Sequence, residues 1–250
     1  MKKKSDLRWF VIIASSLTFL SISIYSLQIL LFHRESETSF YFFQDLSFVP
    51  IQVLFVTFVI DRLLQRKEKI ALLKKINVSI GIFFSEAGNE LISHLIKITP
   101  DADFLRSKLD INTSWSLKDF ERAERRISKK GVTVEFNPES MLELKKFITG
   151  KKFFILDLLE NSNIDEHDSF TDTLLATSHL IEELNLREGF NNHPKADIDH
   201  LKADIKRVYN SIIHEWILYM SHIKSEYPFL YSLSVRTNPF KEKTSAVIYN

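Results

Sequence analysis

Residues 61–96 read DRLLQRKEKIALLKKINVSIGIFFSEAGNELISHLI, and the fold of the whole chain turns on this stretch. Its second half places Leu73, Ile76, Ile80, Phe83, Phe84, Ala87, Leu91 and Leu95 mostly three and four residues apart. A helix turns once every 3.6 residues, so such steps lay apolar side chains along one buried stripe. The first half is basic: Arg62, Arg66, Lys67, Lys69, Lys74 and Lys75 are opposed only by Asp61 and Glu68. The stripe begins where this collar fades, which predicts one helix passing from the collar into a water-soluble body. Gly81 and Gly88 are its weak points, because glycine loses the most backbone freedom on ordering.

Upstream of the collar, residues 40–64 are strongly apolar, with Asp45 and Pro50 near their start and an uninterrupted apolar part over 46–60. Residues 9–32 carry no charge and follow Lys2, Lys3, Lys4 and Arg8. They give roughly 36 Å of helix, enough for a hydrocarbon layer about 30 Å thick. That run is too long for a signal-peptide core, and Ser-Ile-Ser-Ile-Tyr-Ser at 21–26 is a poor cleavage site. A polar turn at 33–39 joins the two, so residues 1–64 read as a transmembrane hairpin with spans at about 9–32 and 40–64. Basic residues flank its outer ends, whereas the turn has only Arg34 among Glu35 and Glu37. The positive-inside rule then places both termini in the cytoplasm, and the expected location is the bacterial inner membrane. Arg62, Arg66, Lys67 and Lys69 would meet anionic headgroups, each worth about 1 kcal/mol near the surface.

Two polar patterns lie inside the spans. Ser15, Ser16, Thr18, Ser23 and Ser26 fall on one broad face, and Asp45 and Gln52, seven apart, share another. One reading packs the hairpin on itself, with Asp45 capping the second helix. The other makes a polar seam between several hairpins, because polar groups in lipid seek partners.

Composition narrows the rest. A net charge of +1 gives no general attraction to nucleic acid. Five Gly and six Pro among 45% hydrophobic residues are too little punctuation for a many-stranded protein, so the body is expected to be all-α. The lack of cysteine excludes disulfides and thiolate chemistry.

A cytosolic helical bundle is expected over 65–236, with a tail at 237–250. Short helical signals cover 102–109; Ser116 caps a mostly charged, exposed helix over 117–130; Asn137-Pro138 opens another, ending near Gly150. Residues 131–136 alternate like one short strand, whose only comparable partner is the tail at 245–249. Residues 151–160, dense in Phe and Leu, read as central. Phe170, Leu174, Ile181 and Leu184 trace an amphipathic helix. The longest soluble helix runs to about Ser225, with Ile198, Leu201, Ile205, Val208, Ile212, Trp216, Tyr219 and Ile223 on its buried face. The segment after Pro228 is apolar enough to pack on the bundle before fraying.

Chemical motifs are sparse. Two-metal bundles use Glu-x-x-His pairs, and no histidine here has a glutamate three residues earlier; Asp197 and His200 show a related spacing once. Glu86, Glu90 and His94, spaced four and four, form one row beside the stripe and are the candidate acid, base or ligand set. The plainer reading is a surface pair of Glu90 with His94 and a solvated Glu86. His179, Glu182 and Glu183, and likewise His214 and Glu215, lie off their apolar stripes and read as solvated faces. His222 borders its stripe as a core histidine. No Gly-rich phosphate loop, nucleophile elbow or zinc-spaced cluster occurs, so no cofactor is expected.

Phe83-Phe84-Ser85-Glu86-Ala87-Gly88 with Leu91, together with Tyr227-Pro228-Phe229-Leu230 and Arg236-Thr237-Asn238-Pro239-Phe240, resembles a pattern in uncharacterised bacterial membrane-anchored helical proteins. The resemblance implies bacterial origin and no particular activity. It also implies packing of the first soluble helix against the last segment, with Arg236 pairing with Glu86. The expected role is an interaction or regulatory module, its partners being lipid and either itself or another protein. The alternatives are a membrane-permeabilising oligomer controlled by the bundle and a membrane-bound enzyme using the Glu86 row.

Overall fold

The computed structural model describes residues 2–32, 35–164 and 167–247. Among them the regular structure is entirely helical, in keeping with the all-α expectation. In chain order the α-helices are α1 (Lys2–Phe32), α2 (Glu35–Phe83), α3 (Asn89–Lys97), α4 (Ala102–Lys108), α5 (Leu117–Lys130), α6 (Pro138–Gly150), α7 (Lys152–Leu159), α8 (Asp168–Asn185), α9 (Lys195–Glu226) and α10 (Pro228–Arg236). A π-helical turn, Phe84–Gly88, joins α2 to α3. The chain divides into two compact units, Met1–Lys69 and Ile70–Asn250, and the division falls within α2.

In the first unit, α2 starts at Glu35 and runs through Pro50 without a break. Asp45 therefore lies within the helix and does not cap it; instead its Oδ2 accepts from the Tyr25 hydroxyl at 3.2 Å. Tyr25 also meets Phe42 edge-on, ring centres 5.9 Å apart. The hydroxyls of Ser23, Ser26 and Ser47 donate one turn back along their own helices, to the carbonyls of Phe19, Ile22 and Phe43. By length and composition one helix among the described residues, within Glu37–Lys97, suffices to cross a bilayer, and Ser15–Leu31 is a shorter apolar helix.

The second unit is built on α9, which packs against α8, α10, α5 and α3. Its apolar face is buried from Leu201 to Ile223, with Trp216 and Tyr209 the largest side chains inside. Against this core lie the end of α2 (Ile76, Ile80 and Phe83), the π turn (Phe84 and Ala87) and α3 (Leu91 and Leu95), all buried as their spacing predicts. Leu73, the expected first member, is 40% exposed. The adjacent rings Phe83 and Phe84 are both fully buried, Phe83 edge-on to Phe170 and Phe84 stacked on Tyr219. The π turn re-phases the helix there, so Leu91 and Leu95 continue to face the core. Neither glycine breaks the run.

Local caps follow ordinary side-chain chemistry. Asn137 accepts from the backbone of Glu139 and Ser140 at the start of α6. At α5, the Ser116 backbone N–H and hydroxyl both donate to Asp119. Here α5 is not simply exposed, because Phe120, Ala123 and Ile127 are buried.

Three further expectations are corrected. Residues 131–137 are an extended strap and not a strand: Glu135 N–H donates to Ile98 C=O and the Thr133 hydroxyl to Asp101, while Gly131 turns the chain at φ 68°. The tail does not pair with them as far as it is described; Ser245 N–H donates to Arg236 C=O, and residues 248–250 lie outside the described chain. Residues 151–160 are not central, since α7 buries Ile155 and Leu158 but leaves Phe153 85% exposed. Beyond Tyr227 the chain forms α10, which packs through Tyr231 and Val235 as its apolar character predicts.

Candidate functional site

The anticipated row does not assemble into a site. Glu86 and Glu90 are exposed, and His94 is half-buried and stacked on Phe147 with ring centres 4.9 Å apart. Burial, followed by the charge of Lys97, holds the His94 imidazole below its usual pKa. Arg236 makes no pair with Glu86; its guanidinium donates to the Ser232 carbonyl and hydroxyl and to the Ala246 carbonyl.

The two resembling segments nevertheless meet, through Trp216. Its indole N–H donates to Asn89 Oδ1 at 3.2 Å, and its ring lies edge-on to Phe240 at 5.0 Å. Fully buried Asn238 donates to the Leu109 carbonyl at 2.7 Å and accepts from Phe240 N–H at 2.9 Å. This is a structural lock. In the first unit, Arg62, Arg66, Lys67 and Lys69 are all exposed, with the Arg62 guanidinium 5.1 Å from the Phe58 ring centre. Gln52 is exposed on α2, as is Asp45 apart from its Tyr25 contact.

A cluster that sequence reasoning set aside does converge. On α8, His179 and Glu183 are one helical turn apart; on α9, His200 and Asp204 repeat that spacing. The two helices pack together and bring the pairs face to face. Asp204 Oδ2 lies 3.5 Å from His179 Nε2 and 3.3 Å from His200 Nε2. Glu183 Oε1 lies 3.9 Å and 3.8 Å from the same two nitrogens. Donor atoms of His179, Glu183 and Asp204 all fall within 4.8 Å of one another. The Asp204 side chain is only 4% exposed, whereas His179 and His200 are 46% and 53% exposed.

Arginines hold the outer oxygens of both carboxylates. Arg207 lies 3.2 Å from Asp204 Oδ1, and Arg187 donates to Glu183 Oε2 at 2.7 Å. Arg187 also grips both oxygens of Asp197, at 2.6 and 3.3 Å, and His193 Nδ1 approaches that carboxylate at 2.8 Å. The hydrogen bonds from Arg187 hold the Glu183 and Asp197 carboxyls below the usual carboxylate range and raise the guanidinium in return. Asp204 Oδ2 accepts no hydrogen bond. The signal available in sequence was the repeated His-x-x-x-acid spacing, on two helices that only the fold brings together.

The other groups set aside as solvated also differ. His214 Nδ1 lies 3.1 Å from Glu124 of α5, and Glu215 is 1% exposed with its Oε1 unpaired. His222 is half-buried, as expected near its stripe, and burial lowers its pKa. It lines an apolar groove of about 460 Å³ with Gly81, Phe84, Tyr219, Leu230 and Leu233.

Residues 72–236 match the family model described as "Uncharacterized protein MJ1433, C-terminal helical domain", and residues 2–64 match "MJ1433, N-terminal helical domain". The chain belongs to the MJ1433 family. Uncharacterized protein MJ1433 of Methanocaldococcus jannaschii is 40% identical over 240 residues, covering 96% of each chain. That organism is an archaeon, so this relative does not carry the bacterial origin that the motif resemblance implied. No solved structure matches the chain. The family's two domains are both described as helical, in agreement with the architecture above.

Proposed function

We propose that this protein is a membrane-anchored helical module. In this reading the hairpin of α1 and α2 lies in the cell membrane, and the body works beside it on the cytoplasmic face as an interaction or regulatory element. The observation that carries the reading is the surface of α2 over residues 46–60. There eleven large apolar side chains, among them Leu54 and Phe55, stand exposed together. Fully burying such a side chain is worth about 1.5–3 kcal/mol, so leaving all eleven in water forgoes roughly 17–33 kcal/mol. A bilayer recovers that energy, and the basic collar that follows suits its anionic headgroups.

The contacts within the hairpin favour an anchor over a pore. Asp45 has a partner in Tyr25, and the hydroxyls of Ser23, Ser26 and Ser47 bond to their own helices, contacts that suit a hairpin packed on itself. The enzyme alternative gains no support, since Glu86 and Glu90 are exposed and His94 is stacked on Phe147.

The test is extraction of native membranes with alkaline carbonate, paired with protease added outside intact cells. The protein is expected to stay in the pellet and its body to resist the protease. Release by carbonate, or trimming of the body from outside, would overturn the proposal.

A further inference from the structure

We propose that His179, Glu183, His200 and Asp204 form a binding site for one divalent first-row transition ion, of which zinc is the representative. Four observations support the site independently of any membrane location.

The first is distance. Two ligands each about 2.1 Å from a zinc ion, at a tetrahedral angle, stand about 3.4 Å apart. Asp204 Oδ2 is 3.3 and 3.5 Å from the two imidazole nitrogens. Donor atoms of His179, Glu183 and Asp204 lie within 4.8 Å of one another, and His200, 3.3 Å from Asp204 and 3.8 Å from Glu183, joins them by a side-chain adjustment.

The second is the state of Asp204. Its side chain is nearly fully buried, and the oxygen facing both histidines accepts no hydrogen bond. A buried acceptor left unmatched is costly, and a plain ion pair with a histidine would have supplied a hydrogen bond. An oxygen held at ligand spacing from two nitrogens, without a hydrogen bond to either, suits a shared cation better.

The third is the arginine support. Arg207 beside Asp204 Oδ1 and Arg187 on Glu183 Oε2 each occupy the outer oxygen and turn the inner one toward the histidines. Outer hydrogen bonds that orient ligating groups are a general feature of metal centres.

The fourth is softness. Two nitrogen donors disfavour magnesium and calcium, and the absence of sulfur disfavours copper(I). The half-exposed histidines leave an entry path and room for a water ligand. Because each helix supplies one pair, the ion would staple α8 to α9.

The experiment uses the full chain in mild detergent, stripped with a chelator and titrated with zinc chloride by calorimetry and thermal melting. The expected result is one bound equivalent and a Tm rise of roughly 5–10 °C at a hundredfold excess over Kd. The paired variant His179→Gln/His200→Gln changes only half-exposed side chains. Its metal-free Tm should match the wild type, while zinc affinity falls about a hundredfold or more and the Tm rise disappears. Cobalt(II) should give the visible spectrum of a low-coordinate nitrogen–oxygen site in the wild type and not in the variant. Magnesium at equal excess should leave Tm unchanged. Failure of the wild type to retain zinc, or undiminished affinity in the paired variant, would overturn the assignment.

Discussion

Replacing Gly88 by alanine sets two effects of known size against each other. The residue before α3 has ordinary helical angles, φ −63° and ψ −43°. Backbone preference alone therefore favours alanine, by about 0.5–1 kcal/mol. The added Cβ would lie 2.6 Å from Phe84 Cδ1 and 2.8 Å from Phe83 Cε1. Neither ring can give way: both are fully buried, the Phe83 ring centre is 5.4 Å from that of Phe170, and Phe84 is stacked on Tyr219 at 5.2 Å. Overpacking a filled core costs about 1–3 kcal/mol, and two rings displaced together belong in the upper half of that range. The balance is a loss of about 1–2 kcal/mol, or a Tm lower by roughly 2–8 °C for a body of this size.

Gly150→Ala supplies the control, because its Cβ would meet nothing within 4 Å at the end of α6. It should be neutral or stabilising by up to about 1 kcal/mol. Urea unfolding followed by far-UV circular dichroism, on the full chain in mild detergent, measures both. Gly88→Ala as stable as the wild type, with Gly150→Ala the weaker protein, would refute the account of the π turn.

Two other outcomes are expected. Asn238→Ala leaves the Leu109 carbonyl and the Phe240 N–H without their partner, and at about 1–3 kcal/mol for each buried group the loss should be roughly 2–6 kcal/mol in the same unfolding assay. His94 and His222 are both held below the ordinary histidine pKa by burial, so the unfolded chain takes up protons first as pH falls. Their contribution to stability is complete above about pH 6.5 and declines as pH is lowered through that value. His94→Gln with His222→Gln should flatten that limb of the Tm–pH curve; an unchanged slope would show that neither residue governs it.

The features legible in the sequence were those set by neighbours along the chain. The stripe from Ile76 to Leu95 followed from helical spacing, and the caps at Ser116 and Asn137 from side chains reaching backbone groups two or three positions away. Where packing decides, the reading slipped. Leu73 fits the stripe's spacing but emerges from the core, because spacing does not say where the opposing surface ends. Residues 131–136 alternate correctly, yet a strand needs a partner, and Thr133 and Glu135 tie the segment to Asp101 and Ile98. The apolar density of α7 did not reveal that Phe153 would point outward.

The histidine cluster illustrates the same limit. The pairs place the acid four residues after the histidine, whereas two-metal bundles place glutamate three before it. Each pair alone resembles a common surface contact. Only the packing of α8 on α9 turns two ordinary spacings into three donors within 4.8 Å of one another, with His200 beside them.

The lock around Trp216 bears on the order of events during synthesis. Its partner Asn89 lies 127 positions away, and Asn238 reaches the Leu109 carbonyl across 129. The core therefore cannot close before residue 240 has left the ribosome. At about 5–20 residues per second, translation from residue 64 to residue 240 takes roughly 10–35 s. Throughout that interval the greasiest part of the nascent chain is already out while its folded counterweight does not yet exist. Under the proposed anchor, targeting would then act on an emerging peptide whose two halves are both still apolar and unpaired.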